Sequence, residues 1–224
     1  MSTGQRRLNR RLFWWTVVVA FLSVVAYASQ LTSGPPQEDV AYQWESSIFG
    51  GIQYAIFLGI VLLLTRGFDR RSFLALRRPR SWWRAAGISA LVVFITFVVT
   101  AVVAQFGNAD EEQGLIPESF DSSRAAQFAG YATIVVVVAP IVEELLFRGA
   151  GYGFLEPLGR LQAAVLVGLA FALVHGLLIG FPVIATFGIG LAILRGRTDS
   201  IYPCILLHSA FNAFGLAVGI ATGS

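Results

Sequence analysis

A chain of 224 residues that is 56% hydrophobic and only 13% charged, with a mean hydropathy of +0.70, leaves little material for a soluble domain. It reads as an all-α, polytopic integral membrane helix bundle, whose positive charge is carried by arginine alone and shows no basic stripe interleaved with aromatics that would suggest nucleic acid. One cysteine, Cys204, excludes an internal disulfide framework and a metal site built from several thiolates.

Apolar stretches of about 20 residues predict about seven transmembrane helices, near 12–29, 48–65, 82–104, 125–147, 161–179, 181–194 and 201–220. The first follows Arg6, Arg7, Arg10 and Arg11 and ends near Ala26-Tyr27-Ala28, a pattern that imitates a signal peptide. Its core from Leu12 to Ala28 is longer and bulkier than a signal core, so an uncleaved first span is expected. The loop 30–47, with TSGPPQ at Thr32–Gln37, carries Glu38, Asp39 and Glu45 and no Arg; 105–123 is likewise acidic and free of Arg. Between them, 66–84 carries Arg66, Arg70, Arg71, Arg77, Arg78, Arg80 and Arg84. The positive-inside rule therefore puts the N-terminus and 66–84 in the cytoplasm and the two acidic loops outside, in a protein expected in the plasma membrane.

On this scheme Arg160, Arg195 and Arg197 mark cytoplasmic ends, and Gly180 with Pro182 forms a tight external turn. The 181–194 run makes a helix of only about 21 Å, short of the ~30 Å hydrocarbon core, and is expected to be tilted, re-entrant or buried. The fourth span runs inward and ends at Glu143, Glu144 and Arg148. A charge deep in a bilayer costs roughly 2.5 to 3.5 kcal/mol on insertion scales, so such a trio requires partners or water. The plain alternative is a helix end at the surface, against which stand the unfavourable dipole for acids at a helix C-terminus and the still apolar GAGYGFLE beyond.

Three polar constellations stand in these apolar runs. In Glu143-Glu144-Leu145-Leu146-Phe147-Arg148, Glu144 and Arg148 share a face at i,i+4 while Glu143 projects about 100° around from Glu144. Glu144 can thus pair with Arg148, leaving Glu143 to face a cavity and accept a proton, with Pro140 just before the pair able to kink the helix and open space. The second is His175, at the end of Phe171-Ala172-Leu173-Val174-His175, and the third is His208-Ser209-Ala210-Phe211-Asn212, where His208 and Asn212 are i,i+4. Alone, each histidine reads as packing or helix glue. Counted inward from Glu156, Arg160 and Ser200, the depths of Glu143, His175 and His208 are roughly 20, 22 and 12 Å.

Together these side chains supply acyl hydrolysis by water: a carboxylate to take the proton, a His to share it, and an Asn with a second His to donate to an oxyanion. No GxSxG, HExxH, GxxxxGK[ST] or GxGxxG is present, so serine hydrolase, zincin, nucleotide and dinucleotide chemistries are set aside. EELLFRG at 143–149, FALVH at 171–175 and HSAFN at 208–212, in this order on successive helices, resemble the CPBP family of type II CAAX prenyl proteases and bacteriocin-processing or Abi-type proteins. The resemblance covers roughly 125–220. It divides the chain into a tail with three helices over 1–124 and a catalytic bundle over 125–224, with a polar cavity among spans four to seven.

It also implies an intramembrane endopeptidase in which Glu143 and His175 activate water, His208 and Asn212 form the oxyanion hole, and Glu144 with Arg148 support them. No cofactor is then needed, and the partners are the lipid bilayer and a peptide or membrane-protein substrate. Alternatives are a zinc-dependent protease using His175, His208 and a Glu, a Cys204 nucleophile, or a nonenzymatic transporter or immunity protein.

Overall fold

The computed structural model describes residues 3–32, 39–107 and 119–222, and no strand occurs among them. The loop reading at 33–37 and the acidic stretch 108–118 lie outside the described residues. The helices are α1 (Thr3–Thr32), α2 (Trp44–Leu64), the single-turn α3 (Arg70–Phe73), α4 (Trp82–Val103), α5 (125–155), α6 (Arg160–Leu173), α7 (Phe181–Thr198) and α8 (Tyr202–Thr222). Helix is the expected solution for an apolar chain, because it satisfies backbone groups within each segment. Local signals set the starts: the Ser81 hydroxyl accepts from the Arg84 amide at 3.2 Å to cap α4, and Pro182 sits in the first turn of α7.

Among the described residues, five helical segments are long and apolar enough to cross a membrane: α1, α2, α4, the segment containing α5, and α8. The expectation of about seven counted two more. The 161–179 run breaks because α6 stops at Leu173 and the chain turns through Gly176 at φ 69°, where a side chain would strike the Ala26 backbone. Apolarity continues through that turn as Leu177-Leu178-Ile179, which is why the sequence reads as a single span. The next run is the 18-residue α7, which continues past the expected end at 194 to place Arg195 and Arg197 in its last turn.

One apolar core joins Trp15 and Val19 of α1, Val61 and Leu64 of α2, Phe147 and Phe154 of α5, and Phe171 of α6. A second joins Val92 of α4, Phe187 and Leu191 of α7, and Cys204 of α8. Between them α7 lies along α6 on one side and α4 on the other. Glycine makes this approach possible. A methyl group at Gly168 would fall on the Ile189 backbone, one at Gly188 would lie 2.9 Å from the Gly168 carbonyl oxygen, and one at Gly190 would meet Val92.

Polar clasps hold the end of the bundle where α2 and α5 begin. The Tyr42 hydroxyl donates to Ser119 O at 2.7 Å and accepts from the Asp121 amide at 3.0 Å, while Arg124 pairs with both Asp39 and Asp121 at 2.9 and 2.6 Å. The Ser123 hydroxyl and the Arg124 guanidinium, hydrogen-bonded to the exposed Asp121 carboxylate, hold its pKa down at about 2.

The glycine contacts yield a direct comparison. Gly168→Ala is expected to lower stability by about 1–3 kcal/mol through overpacking. Gly215→Ala, with open space around the new methyl group, should stay within about 0.5 kcal/mol. Thermal unfolding in detergent measures both, and equal effects would refute the close α6–α7 contact as the cause.

Candidate active site

The site begins with the irregular backbone of α5. Two wider, π-helical stretches, Ile134–Val138 and Leu145–Gly151, flank the regular segment Ala139–Glu144 that carries both glutamates. In an i→i−5 register the amide that would reach Val135 O belongs to residue 140, which is a proline and has none. The Asn212 amide of α8 donates to that carbonyl at 2.9 Å. At the second wide stretch the Trp15 indole of α1 donates to Leu146 O at 3.0 Å, and Gly151 leaves room for the ring. Side chains from two other helices thus supply donors to a backbone that departs from α geometry.

Glu144 and Arg148 are both fully buried and pair at 2.8 Å, one turn apart. The same Glu144 oxygen meets His208 Nδ1 at 3.0 Å. Arg148 also donates to Gly188 O at 2.8 Å, and its guanidinium lies 4.2 Å from the centre of the Phe171 ring. Phe171 is the common floor of the site, with the His175 ring at 4.5 Å and the His208 ring at 5.6 Å.

Glu143, 100° away on the same helix, meets a different environment. One oxygen accepts from the Tyr54 hydroxyl of α2 at 2.6 Å; the other stands 3.8 Å from His208 Nε2, too far for a direct hydrogen bond. Its side chain is 16% exposed against none for Glu144, so only Glu143 is open to a small molecule such as water.

The hydrogen bonds also assign tautomers. A carbonyl only accepts, so the 2.6 Å contact between His175 Nδ1 and Phe171 O puts the proton on Nδ1 and leaves Nε2 as the basic nitrogen. Likewise His208 Nδ1–H donates to the Glu144 carboxylate, and its Nε2 faces Glu143. His175 lies in the turn after α6, near enough to interact electrostatically with Glu143 and His208.

Of the residues singled out in the sequence, the structure brings Glu143, Glu144, Arg148 and His208 together, while the Phe171 ring meets Arg148, His175 and His208. Asn212 is one turn beyond His208, with its amide directed to Val135 O. Cys204 is fully buried and its thiol donates to Leu191 O at 3.3 Å. Among the described residues, no group of three or more His, Cys, Asp or Glu side chains is arranged to hold a metal ion. Tyr54 was missed, although a phenol within a long apolar run was itself a signal. Nothing in the sequence pairs it with Glu143, 89 residues away.

An all-helical bundle with two carboxylates and two histidines converging among apolar helices defines a polytopic membrane protein with a buried polar site. Residues 125–214 match the family model described as type II CAAX prenyl endopeptidase Rce1-like, consistent with the CPBP family. That family is one of proteases, and the match supports an intramembrane CAAX-type protease in general. No curated protein and no solved structure matches the chain. The matched stretch contains Glu143, Glu144, Arg148, His175, His208 and Asn212, whereas Trp15 and Tyr54 come from outside it.

The Pro140–Asn212 relation predicts an energetic coupling. Asn212→Ala should destabilise the protein by leaving Val135 O without its donor, at a cost of about 1–3 kcal/mol. In a Pro140→Ala background, where residue 140 regains an amide, the cost should shrink by about 1 kcal/mol. A double-mutant cycle by thermal or denaturant unfolding tests this, and strict additivity would disprove it.

Proposed function

We propose that this protein is an intramembrane endopeptidase that hydrolyses a peptide bond with water activated by Glu143 and His175. The observation that carries the reading is the asymmetry of the adjacent glutamates. Glu144 is sealed and engaged by Arg148 and His208, while Glu143 keeps one oxygen directed at a gap of 3.8 Å from His208. A carboxylate that is held but not consumed by its neighbours suits a general base.

In the proposed reaction Glu143 removes a proton from water, whose oxygen bonds to the substrate carbonyl carbon as the carbonyl π electrons move to oxygen. His175 Nε2 shares that proton, which passes to the leaving nitrogen as the oxyanion re-forms the carbonyl and the C–N bond breaks; the products are a carboxylic acid and an amine, and proton exchange between them leaves a carboxylate and an ammonium. His208 belongs to the oxyanion hole in this reading: the Glu144 carboxylate accepts from its Nδ1–H and so orients the ring with Nε2 toward the gap. Asn212 offers its remaining amide hydrogen on the same helical face. Tyr54 is a positioning residue that fixes the Glu143 carboxylate through its 2.6 Å hydrogen bond.

The substrate in this reading is a peptide or a membrane-protein segment, without a requirement for a prenyl group. The N-terminus is cytoplasmic and the bilayer is the plasma membrane, on the strength of the arginine distribution.

Purified protein is expected to cut a membrane-associated peptide. Glu143→Gln should lower the rate by at least about 100-fold while leaving the unfolding temperature near that of the parent. Full cleavage by that variant would remove Glu143 from the role of base. Tyr54→Phe, which deletes one hydrogen bond and keeps the ring, should lower kcat by about 10–100-fold with a smaller change in KM; an unchanged kcat would end its positioning role. Comparing membrane proteomes of cells carrying the parent protein and Glu143→Gln identifies substrates as uncut proteins that accumulate.

A further inference from the structure

A cavity of about 480 Å³ lies at the arginine-rich end of the bundle, away from the glutamates. Arg80 and Arg84 approach it from the start of α4, Arg160 from the start of α6 and Arg197 from the last turn of α7. Four cations from three helices face one space. Among the described residues Arg80, Arg84 and Arg197 form no ion pair, and Arg160 reaches only Glu156, at 3.9 Å and with its side chain 76% exposed.

The one acid on the cavity wall, Asp199, is already engaged. It pairs with Arg77 at 2.6 Å and Arg195 at 3.2 Å. Burial opposes its ionisation, yet those two arginines hold its carboxyl below the ordinary range, so it stays negative in their company. Arg80, Arg84 and Arg197 are left without an ion-pair partner among the described residues, and Arg160 has only its long contact to Glu156.

Two further features specify the ligand. Tyr152 is fully buried, its hydroxyl has no hydrogen-bond partner, and it lines this cavity beside Gly196, where any side chain would collide with the hydroxyl. A buried hydroxyl of that kind calls for an acceptor. Leu161 lines the cavity and is 66% exposed, and Trp82 and Trp83, next to the lining Arg84 in the chain, are 47% and 89% exposed. Exposed tryptophans beside arginines mark the headgroup level of a bilayer.

We infer that this cavity binds the phosphate of an anionic phospholipid headgroup, drawn from the adjoining leaflet, with an acyl chain lying along Leu161. Arginine forks match phosphate oxygens, the Tyr152 hydroxyl donates to one of them, and a volume in the range of small-ligand sites admits the headgroup. The site is separate from Glu143 and stands whether or not the protein cleaves peptides.

The test uses the full chain in detergent, titrated with phosphatidylglycerol, phosphatidylcholine or inorganic phosphate, with thermal unfolding and native mass spectrometry as readouts. Phosphatidylglycerol should raise the unfolding temperature and remain bound, whereas phosphatidylcholine and phosphate at the same concentration should do neither. The exposed pair Arg84→Gln with Arg197→Gln should weaken retention roughly 25-fold, about fivefold for each arginine. Tyr152→Phe should weaken it further in the same direction. A charge-matched control, Arg6→Gln with Arg10→Gln, should retain the lipid as the parent does. Equal effects of phosphatidylcholine and phosphatidylglycerol would overturn the site in favour of a general lipid effect. Equal effects of phosphate alone would make it a free-anion site, and equal losses in control and test variants would reduce it to bulk surface charge.

Discussion

The contact on which the rest depends is the fully buried ion pair between Glu144 and Arg148. Two charges taken out of water are costly, and removing one partner of such a pair typically costs about 3–5 kcal/mol because the other is left uncompensated. The bundle offsets the cost with oriented groups from three other helices: the Phe171 ring of α6, the Gly188 carbonyl of α7 and the His208 imidazole of α8. Each must arrive at a set distance and angle for the pair to persist. The pair therefore specifies how α5 to α8 sit together, and the close α6–α7 contact at Gly168 and Gly188 brings the carbonyl and the ring within reach of one guanidinium.

The backbone of α5 answers to the same constraint. Its two wide π-helical stretches enclose the six residues that present the glutamates. Departures of this kind survive in an apolar medium only when their exposed carbonyls find donors. Asn212 and Trp15 provide them, one from α8 and one from α1. Asn212 thus holds the backbone just ahead of the glutamates while His208, four residues earlier on the same helix, meets both side chains.

The proposed chemistry rests on a difference between neighbours. Glu144 pairs with Arg148 and His208, and Glu143 accepts from Tyr54 and faces His208 across a gap. Because Tyr54 belongs to α2, a helix outside the stretch matched by the protease family, the first half of the chain completes a site whose other members lie in the second. The arginine-lined cavity is likewise assembled from α4 in the first half and α6 and α7 in the second.

Much of this was legible in the residues themselves. Long apolar runs required helices, and i,i+4 spacing put Glu144 and Arg148 on one face and turned Glu143 away from it; those follow from the period of the helix and the thickness of a bilayer. Among the described residues five segments are long and apolar enough to cross, against about seven apolar runs in the sequence; apolarity does not register a turn, and Gly176 turns the chain inside a run that stays hydrophobic on both sides. The partners of Tyr54, Phe171 and Trp15 were not legible in the sequence because they lie far along the chain or across the bundle, which no local period encodes. Composition and spacing thus determined the class of fold, the polar residues and the division between the two glutamates. Only tertiary packing decided that both glutamates converge on His208 and that Asn212 replaces the amide missing at Pro140, because those contacts exist only once separate helices are set side by side.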